Sequence, residues 1–343
     1  MIMRGAGMEP TGKEKKVFVI RVVIFFAVFL CLFLVINRVF LYKDNNFYNY
    51  VNYMSQPEES IDILVMGSSH SIDAVDSMEL GEALEQEYGV HVSVFNMSIT
   101  SMRIEQIAYR LQEAVKNQSP KLLVIETFSF APMELSNDEV VRRYALDYMP
   151  LSTEKIKFIF ENVEEGKSSF FVPFIKYHTR WGELEADDFR ALSRKWLGST
   201  SSSYGLRVGR KADYEGEWDD YFLQDFSSIS GKIEIDGGQK ESVDSILETA
   251  EKNGIKVLFL SVPYKVQMSL PSTELIQYNN YIRENYVDGE NVFLLDMNAM
   301  MNSLGWGYEY MQDEGHVNDD GRKIVMKYLT EYIGENLKNC FIN

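Results

Sequence analysis

Two widely separated clusters carry side chains that could do chemistry together. Gly67-Ser68-Ser69-His70-Ser71 follows the short apolar run 61–66 (IDILVM), which places a serine hydroxyl where a buried strand turns into a helix and where backbone N–H groups point toward solvent. Near the other end, Asp313-Glu314-Gly315-His316-Val317-Asn318 precedes Gly321 and the helix-period run 324–333. An imidazole that takes a proton from a serine needs a carboxylate on its far ring nitrogen, and a short Asp-x-x-His loop can present both side chains toward one neighbouring hydroxyl. Each cluster alone has a plainer reading. Ser, Gly and Asp are good turn formers, and Asp-x-x-His also serves as a capping loop. The pairing is what points to nucleophilic chemistry.

The elements that must position these groups follow from hydropathy. Apolar runs at 61–66, 91–96, 121–126, 255–261 and 291–296 have the length and composition of buried strands, and helix-period segments such as 78–88 and 103–116 separate them. Strands alternating with helices predict a parallel sheet covered on both faces. The interval 131–238 is far longer than a usual crossover and is expected to be an insertion. It is aromatic and amphipathic (Phe170, Phe171, Trp181, Phe189, Trp196, Tyr204, Trp218, Tyr221, Phe222) and is broken by the Ser-rich stretch 198–205. Its helices are expected either to cap the C-terminal edge of the sheet, where open α/β sheets bind ligands, or to form a packing layer.

At the N-terminus, residues 17–41 are almost wholly apolar, with Arg21, Asn37 and Arg38 near the edges, and about 20 residues suffice to cross a membrane. The run exits into Asn-Arg-Val-Phe-Leu-Tyr with no small-x-small cleavage pattern, so a retained anchor is expected rather than a removed signal. Arg4, Lys13, Lys15, Lys16 and Arg21 make the preceding flank basic and keep that end cytoplasmic. The expected organisation is a cytoplasmic tail (1–16), a transmembrane helix (17–41), a stalk (42–60) and one extracytoplasmic domain (61–343) with the insertion at about 131–238. A formal net charge of −17 and the lack of a basic stripe argue against nucleic acid as a partner. Two cysteines, Cys31 in the apolar run and Cys340 near the end, offer no disulfide scaffold, and four unclustered histidines offer no metal site; no cofactor is expected.

The two end clusters resemble the SGNH/GDSL hydrolase superfamily, whose first block is Gly-Asp-Ser after the first strand and whose last is Asp-x-x-His before the final helix. Gly67-Ser68-Ser69 matches with Ser in place of Asp. The resemblance implies a flavodoxin-like three-layer αβα parallel sheet, with Ser69 as nucleophile, His316 as general base and Asp313 as its orienting partner. Asn96-Met97-Ser98 stands where the family's second block lies, and the Ser98 backbone amide would serve the oxyanion hole, with Asn96 and His70 lining the pocket. The third block, Gly-x-Asn-Asp, has no counterpart: Ile125-Glu126-Thr127-Phe128 lacks the asparagine that stabilises an oxyanion. The likeness is greatest to membrane-anchored members that act beside membrane-bound O-acyltransferases, including the D-alanyl transfer protein of teichoic acid modification and the O-acetyltransferases of exported polysaccharides. It covers residues 58–130 and 236–340.

Weaker candidates for substrate contact are Arg103, which follows the second block, and His178, Arg180 and Trp181 in the insertion, where an aromatic face beside arginine suits a sugar as well as it suits packing. The expected activity is acyl transfer or hydrolysis through an acyl-serine at the cell surface, on a glycan of the surface or an exported one. The alternative is an inactive accessory protein that keeps the fold to bind glycan or to hold a membrane acyltransferase.

Overall fold

The computed structural model describes residues 11–41, 53, 56–131, 142–143, 146–147, 149, 151–184 and 219–342. The central sheet is built from β1 (Ile63–Met66), β2 (Val94–Asn96), β3 (Leu122–Glu126), β4 (Lys256–Ser261) and β5 (Val292–Asp296), in the spatial order β2-β1-β3-β4-β5. Every neighbouring pair is parallel, with Ile63 opposite Val94 and Leu122, Leu122 opposite Lys256, and Val257 opposite Val292. β1 and β3 are buried at every position, as strands sandwiched between two helical layers must be. This is the flavodoxin-like order, in which the chain reverses direction across the sheet between β1 and β3 and leaves a crevice at their carboxyl ends.

The layers follow from the crossovers. Right-handed connections that first move outward to β2 and then back across the sheet place their helices on opposite faces. Helix α3 (Ser77–Tyr88) packs with the last long helix, α10 (Asp319–Asn336), while α4 (Ile104–Ala114) packs with α8 (Gly237–Lys252). The short α2 (Ser69–Ala74) lies between β1 and α3, and α9 (Ser272–Asn285) covers the crossover from β4 to β5. Local signals fix the ends. Asp76 accepts from the Met78 and Glu79 amides to start α3, and Gly89, at φ 67°, ends it in the left-handed conformation. Asp236 and Gln239 form a capping box at α8, and Gln239 Nε2 also donates to Phe130 O at 2.8 Å, tying the helix to the chain leaving β3.

All five expected strands are present, each beginning one to three residues later than its apolar run; the first residues of those runs bond across to one another just outside the regular ladder. Asp62 O, for example, accepts from the Lys121 and Leu122 amides. A two-stranded hairpin, Val266–Gln267 with Leu270–Pro271, was not foreseen; two residues per strand carry no periodicity, and Met268 and Ser269 turn it with positive φ.

Helix α1 (Gly12–Leu41) has one unbroken apolar stretch, and the candidate span Gly12–Asn37 is unburied. Within the insertion, α5 (Thr153–Asn162) packs on α4, with Phe158 against Tyr109 at 5.5 Å between ring centroids; α6 (Lys167–Phe171) follows beside α5, and α7 (Pro173–Tyr177) packs on α6 and on α1. The chain returns at Asp219–Phe222, where Tyr221 Oη donates to either Lys265 O or Ser272 Oγ, at 2.9 and 2.7 Å. Of the expected cap, the stretch 198–205 and Phe189, Trp196, Tyr204 and Trp218 lie outside the described residues, as does most of the stalk at 42–60.

Candidate active site

Ser69 is the first residue of α2, at the carboxyl end of β1. Ser68 caps that helix, its Oγ accepting from the His70 amide at 3.3 Å. The turn leaves no space for a larger residue at Gly67: a Cβ there would sit 2.5 Å from Glu126 Cβ and 2.5 Å from Ser71 Oγ. β1 and β3 are therefore drawn together beneath the serine, and that close approach is the physical reason for glycine.

The Asp313–His316 loop enters the same crevice from the other end of the fold. Met311 and Val317 bridge its two sides, the Gln312 amide donates to His316 O at 2.9 Å, and Glu314 O accepts from the Lys265 and Val266 amides next to the hairpin. Below it, Asn318 caps α10 by accepting from Asp320 and Gly321, and its Nδ2 donates to Glu309 O at 2.7 Å. Gln312 Nε2 also donates to Asp73 Oδ2 at 2.7 Å, which joins this loop to α2.

The outcome is a linear hydrogen-bonded chain. Ser69 Oγ lies 2.7 Å from His316 Nε2, and His316 Nδ1 lies 2.9 and 3.0 Å from the two oxygens of Asp313. Asp313 is itself fixed by accepting from the Gly315 and His316 amides, each at 2.8 Å. Its burial pushes its pKa up, but the hydrogen bond and charge of His316 outweigh that and hold the carboxyl below its ordinary value. The carboxylate is thus kept ionised against the imidazole. Ser69 itself is buried, 7% exposed.

Glu126 is a member of this site that the sequence did not single out. It ends β3 fully buried, and its carboxylate accepts from Ser68 Oγ at 2.7 Å, from the Ser68 amide at 3.3 Å and from the Phe128 amide at 2.6 Å. Burial raises its pKa from 4.5 to about 7, against the opposing effect of those three donors. The available signal was a lone acid closing an otherwise apolar strand, LLVIE.

His70 is buried beside the chain rather than within it. Its ring stacks on Phe128 at 4.3 Å, meets Tyr264 edge-on at 5.1 Å and lies 5.1 Å from the His316 ring. Neither of its nitrogens has a hydrogen-bond partner among the described residues. Burial first, and then the charge of His316, drive its pKa well below the ordinary value, so it is a neutral wall of the pocket. Phe128, at the place where the sequence lacks an asparagine, is the other face of that wall.

The remaining candidates are held by other partners. Asn96 Nδ2 donates to Ser71 O and Val75 O, and Asn96 Oδ1 accepts from the Ser98 amide at 3.1 Å, so the amide expected to face an oxyanion is engaged. Ser98 Oγ lies 2.7 Å from Ser71 Oγ. Arg103 caps α4 and pairs with Glu105 at 3.3 Å. His178, Arg180 and Trp181 sit at the C-terminal end of α1: Trp181 packs on Phe40, Arg180 donates to Phe40 O, and His178 lies over Phe174. Among the described residues, no group of three or more His, Cys, Asp or Glu is placed to hold a metal ion.

No protein-family model matches the sequence, and a search of curated proteins finds no match. Among solved structures, the chain is similar to a protein of Bacteroides fragilis NCTC 9343 described as a "putative acylhydrolase", at 14% identity and a TM-score of 0.38, over 84% of this chain and 94% of that one. The fold is defined independently of that likeness, by strand order and register: a flavodoxin-like α/β protein with a Ser–His–Asp chain at the carboxyl edge of its sheet.

Proposed function

We propose that this protein is a membrane-anchored SGNH-like serine acyltransferase or esterase, acting outside the cell on a surface or exported glycan through an acyl-serine intermediate. The observation that carries the reading is the continuous Ser69–His316–Asp313 chain at 2.7 and 2.9 Å. In this reading Ser69 Oγ attacks the acyl carbonyl while its proton passes to His316 Nε2, and Asp313 stabilises the imidazolium. His316 then returns the proton to the departing oxygen, leaving the acyl group on Ser69. A sugar hydroxyl or water, deprotonated in turn by His316, takes the acyl group and restores the serine. The Ser69 amide, in the first turn of α2, has no intrahelical carbonyl to bond and is a donor available to the oxyanion. An anchor that keeps the domain beside a membrane-bound O-acyltransferase favours transfer over scavenging hydrolysis.

A second reading, an inactive accessory that binds glycan or such an acyltransferase, draws on the engaged Ser98 amide and on Phe128 in the place of an oxyanion donor. The two differ in one experiment. Treated with a fluorophosphonate probe, the wild-type protein is expected to be labelled covalently and Ser69→Ala not at all, with Asp313→Asn slowed by about 10³–10⁴-fold. Equal signal from wild type and Ser69→Ala removes the catalytic reading and leaves the accessory one.

A further inference from the structure

Helix α1 is exposed along almost its whole length as far as Leu32; beyond it Phe33, Val35, Ile36 and Asn37 are partly covered and Val39 and Phe40 are buried, while Leu34 on the opposite side stays 58% exposed. The cover is α7 together with the 3-10 turn His178–Glu183. Phe174 meets Phe33 at 5.8 Å and Phe40 at 5.9 Å between ring centroids, and Trp181 meets Phe40 edge-on at 4.9 Å. Two hydrogen bonds complete the joint: Asn37 Oδ1 accepts from the Phe174 amide at 2.7 Å, and Arg180 Nη1 donates to Phe40 O at 2.6 Å. They satisfy an amide in the first turn of α7 and a carbonyl in the last turn of α1. Helix ends leave such groups without partners, and away from water that is costly.

The depth of this joint follows from helix geometry. The apolar residues 17–36 rise roughly 30 Å, the thickness of the hydrocarbon layer. With that run in a bilayer, Asn37 stands at its outer edge and Phe33 some 4–6 Å inside it. Whatever packs on Phe33 and Asn37 shares their depth, and Phe174 does. Beside it, Ile175 and Trp181 remain 47% and 54% exposed, which is hard to account for in water and natural at a headgroup boundary, where tryptophan is enriched. Lys176, exposed in the same turn, has the length to reach the phosphates.

We propose, on the basis of the anchor reading above, that Pro173–Glu183 is an interfacial element: Phe174, Ile175 and Trp181 insert into the headgroup–acyl boundary and seat the outer domain against the lipid surface. Lipid rather than a protein partner is the occupant, because the patch is continuous with a helix face that lipid itself surrounds.

The test uses the full chain with Cys31→Ala and Cys340→Ala, one cysteine introduced by Ile175→Cys, Trp181→Cys, Phe29→Cys or Glu248→Cys, and an environment-sensitive NBD label on each. The labelled proteins are reconstituted into phosphatidylcholine–phosphatidylglycerol vesicles doped with lipids carrying a spin-label quencher near the headgroup or deep in the chain. Labels at 175 and 181 are expected to be blue-shifted and quenched several-fold by the shallow quencher, the label at 29 by the deep one, and that at 248 by neither. A label at 29 that is quenched while those at 175 and 181 behave like 248 overturns the interfacial element and leaves the anchor standing. No quenching at 29 removes the anchor reading and the proposal with it. Thermal melting of each variant checks folding, and the two positions report independently if one substitution perturbs the joint.

Discussion

Glu126 accepts from Ser68, and His70 directly follows Ser69, so two buried titratable groups bear on the turn that carries Ser69. They bear on it with opposite signs. Glu126, raised from 4.5 to about 7, binds more protons folded than unfolded between those values; its contribution is fully present below pH 4.5 and is lost as pH rises through 7, about 3 kcal/mol in all. His70, depressed by burial, binds fewer protons folded than unfolded, so its contribution is present above pH 6.5 and is lost as pH falls below it. Between pH 4.5 and 6.5 the two offset each other. Thermal melts from pH 5 to 8 are expected to expose each in turn. Glu126→Gln should lose stability toward acid more steeply than wild type, and His70→Phe should lose it toward pH 7. Parallel Tm profiles for the three proteins would show that neither group is titrating as placed. Ser69, His316 and Asp313 could be picked out of the sequence because two distant clusters, each ordinary alone, together match the first and last blocks of a known family. Glu126 was not, because nothing in the run LLVIE says that its last carboxylate folds back beneath a serine 58 residues earlier.

At the scale of elements, the site depends on how closely β1 and β3 approach at their carboxyl ends. Gly67→Ala would drive a methyl group into the Cβ of Glu126 and the hydroxyl of Ser71, and the first is side-chain root rather than a flexible tip. Relieving that overlap must move the turn itself, at a cost of about 1–3 kcal/mol. We expect Gly67→Ala to lower Tm by several degrees and to reduce labelling of Ser69 well beyond the fraction unfolded; a variant that melts lower but labels at the wild-type rate per folded molecule would separate the turn from the site. The strands were readable because both faces are buried, which makes each a continuous apolar run. The hairpin at Val266–Pro271 was not, although it supports the Asp313–His316 loop through Lys265, since so short a pair leaves no pattern. The insertion was legible as an excess of chain length, but its path along α4 and onto α1 depends on contacts such as Phe158 with Tyr109 that link positions far apart in sequence.

For the whole molecule, the acidic α/β region and the basic flank of α1 divide the charge between two ends of one chain, and the apolar helix between them has almost no protein to cover it. An unburied run of this length is stable in water only if lipid or detergent surrounds it. Expressed in full, the protein is expected to stay with the membrane pellet after an alkaline carbonate wash and to leave it only with detergent; release by carbonate alone would show that α1 is removed or peripheral. Length and apolarity made this helix evident in the sequence. The joint that α7 makes with it was hidden, because Phe174, Arg180 and Trp181 lie some 140 residues from Asn37 and Phe40, and an aromatic patch beside an arginine suits a sugar, a helix or a lipid surface equally well until its neighbours are known.

Ser69 and His316 stand 247 residues apart, near opposite ends of the α/β fold in sequence. During synthesis the hydroxyl emerges early and waits; the imidazole that would activate it arrives only when the last strand and the final loop have left the ribosome, and α10 must still fold behind them. In a nascent or C-terminally clipped chain Ser69 therefore lacks that imidazole, and under the proposed mechanism its labelling by a serine-directed probe is expected only once the chain has been finished.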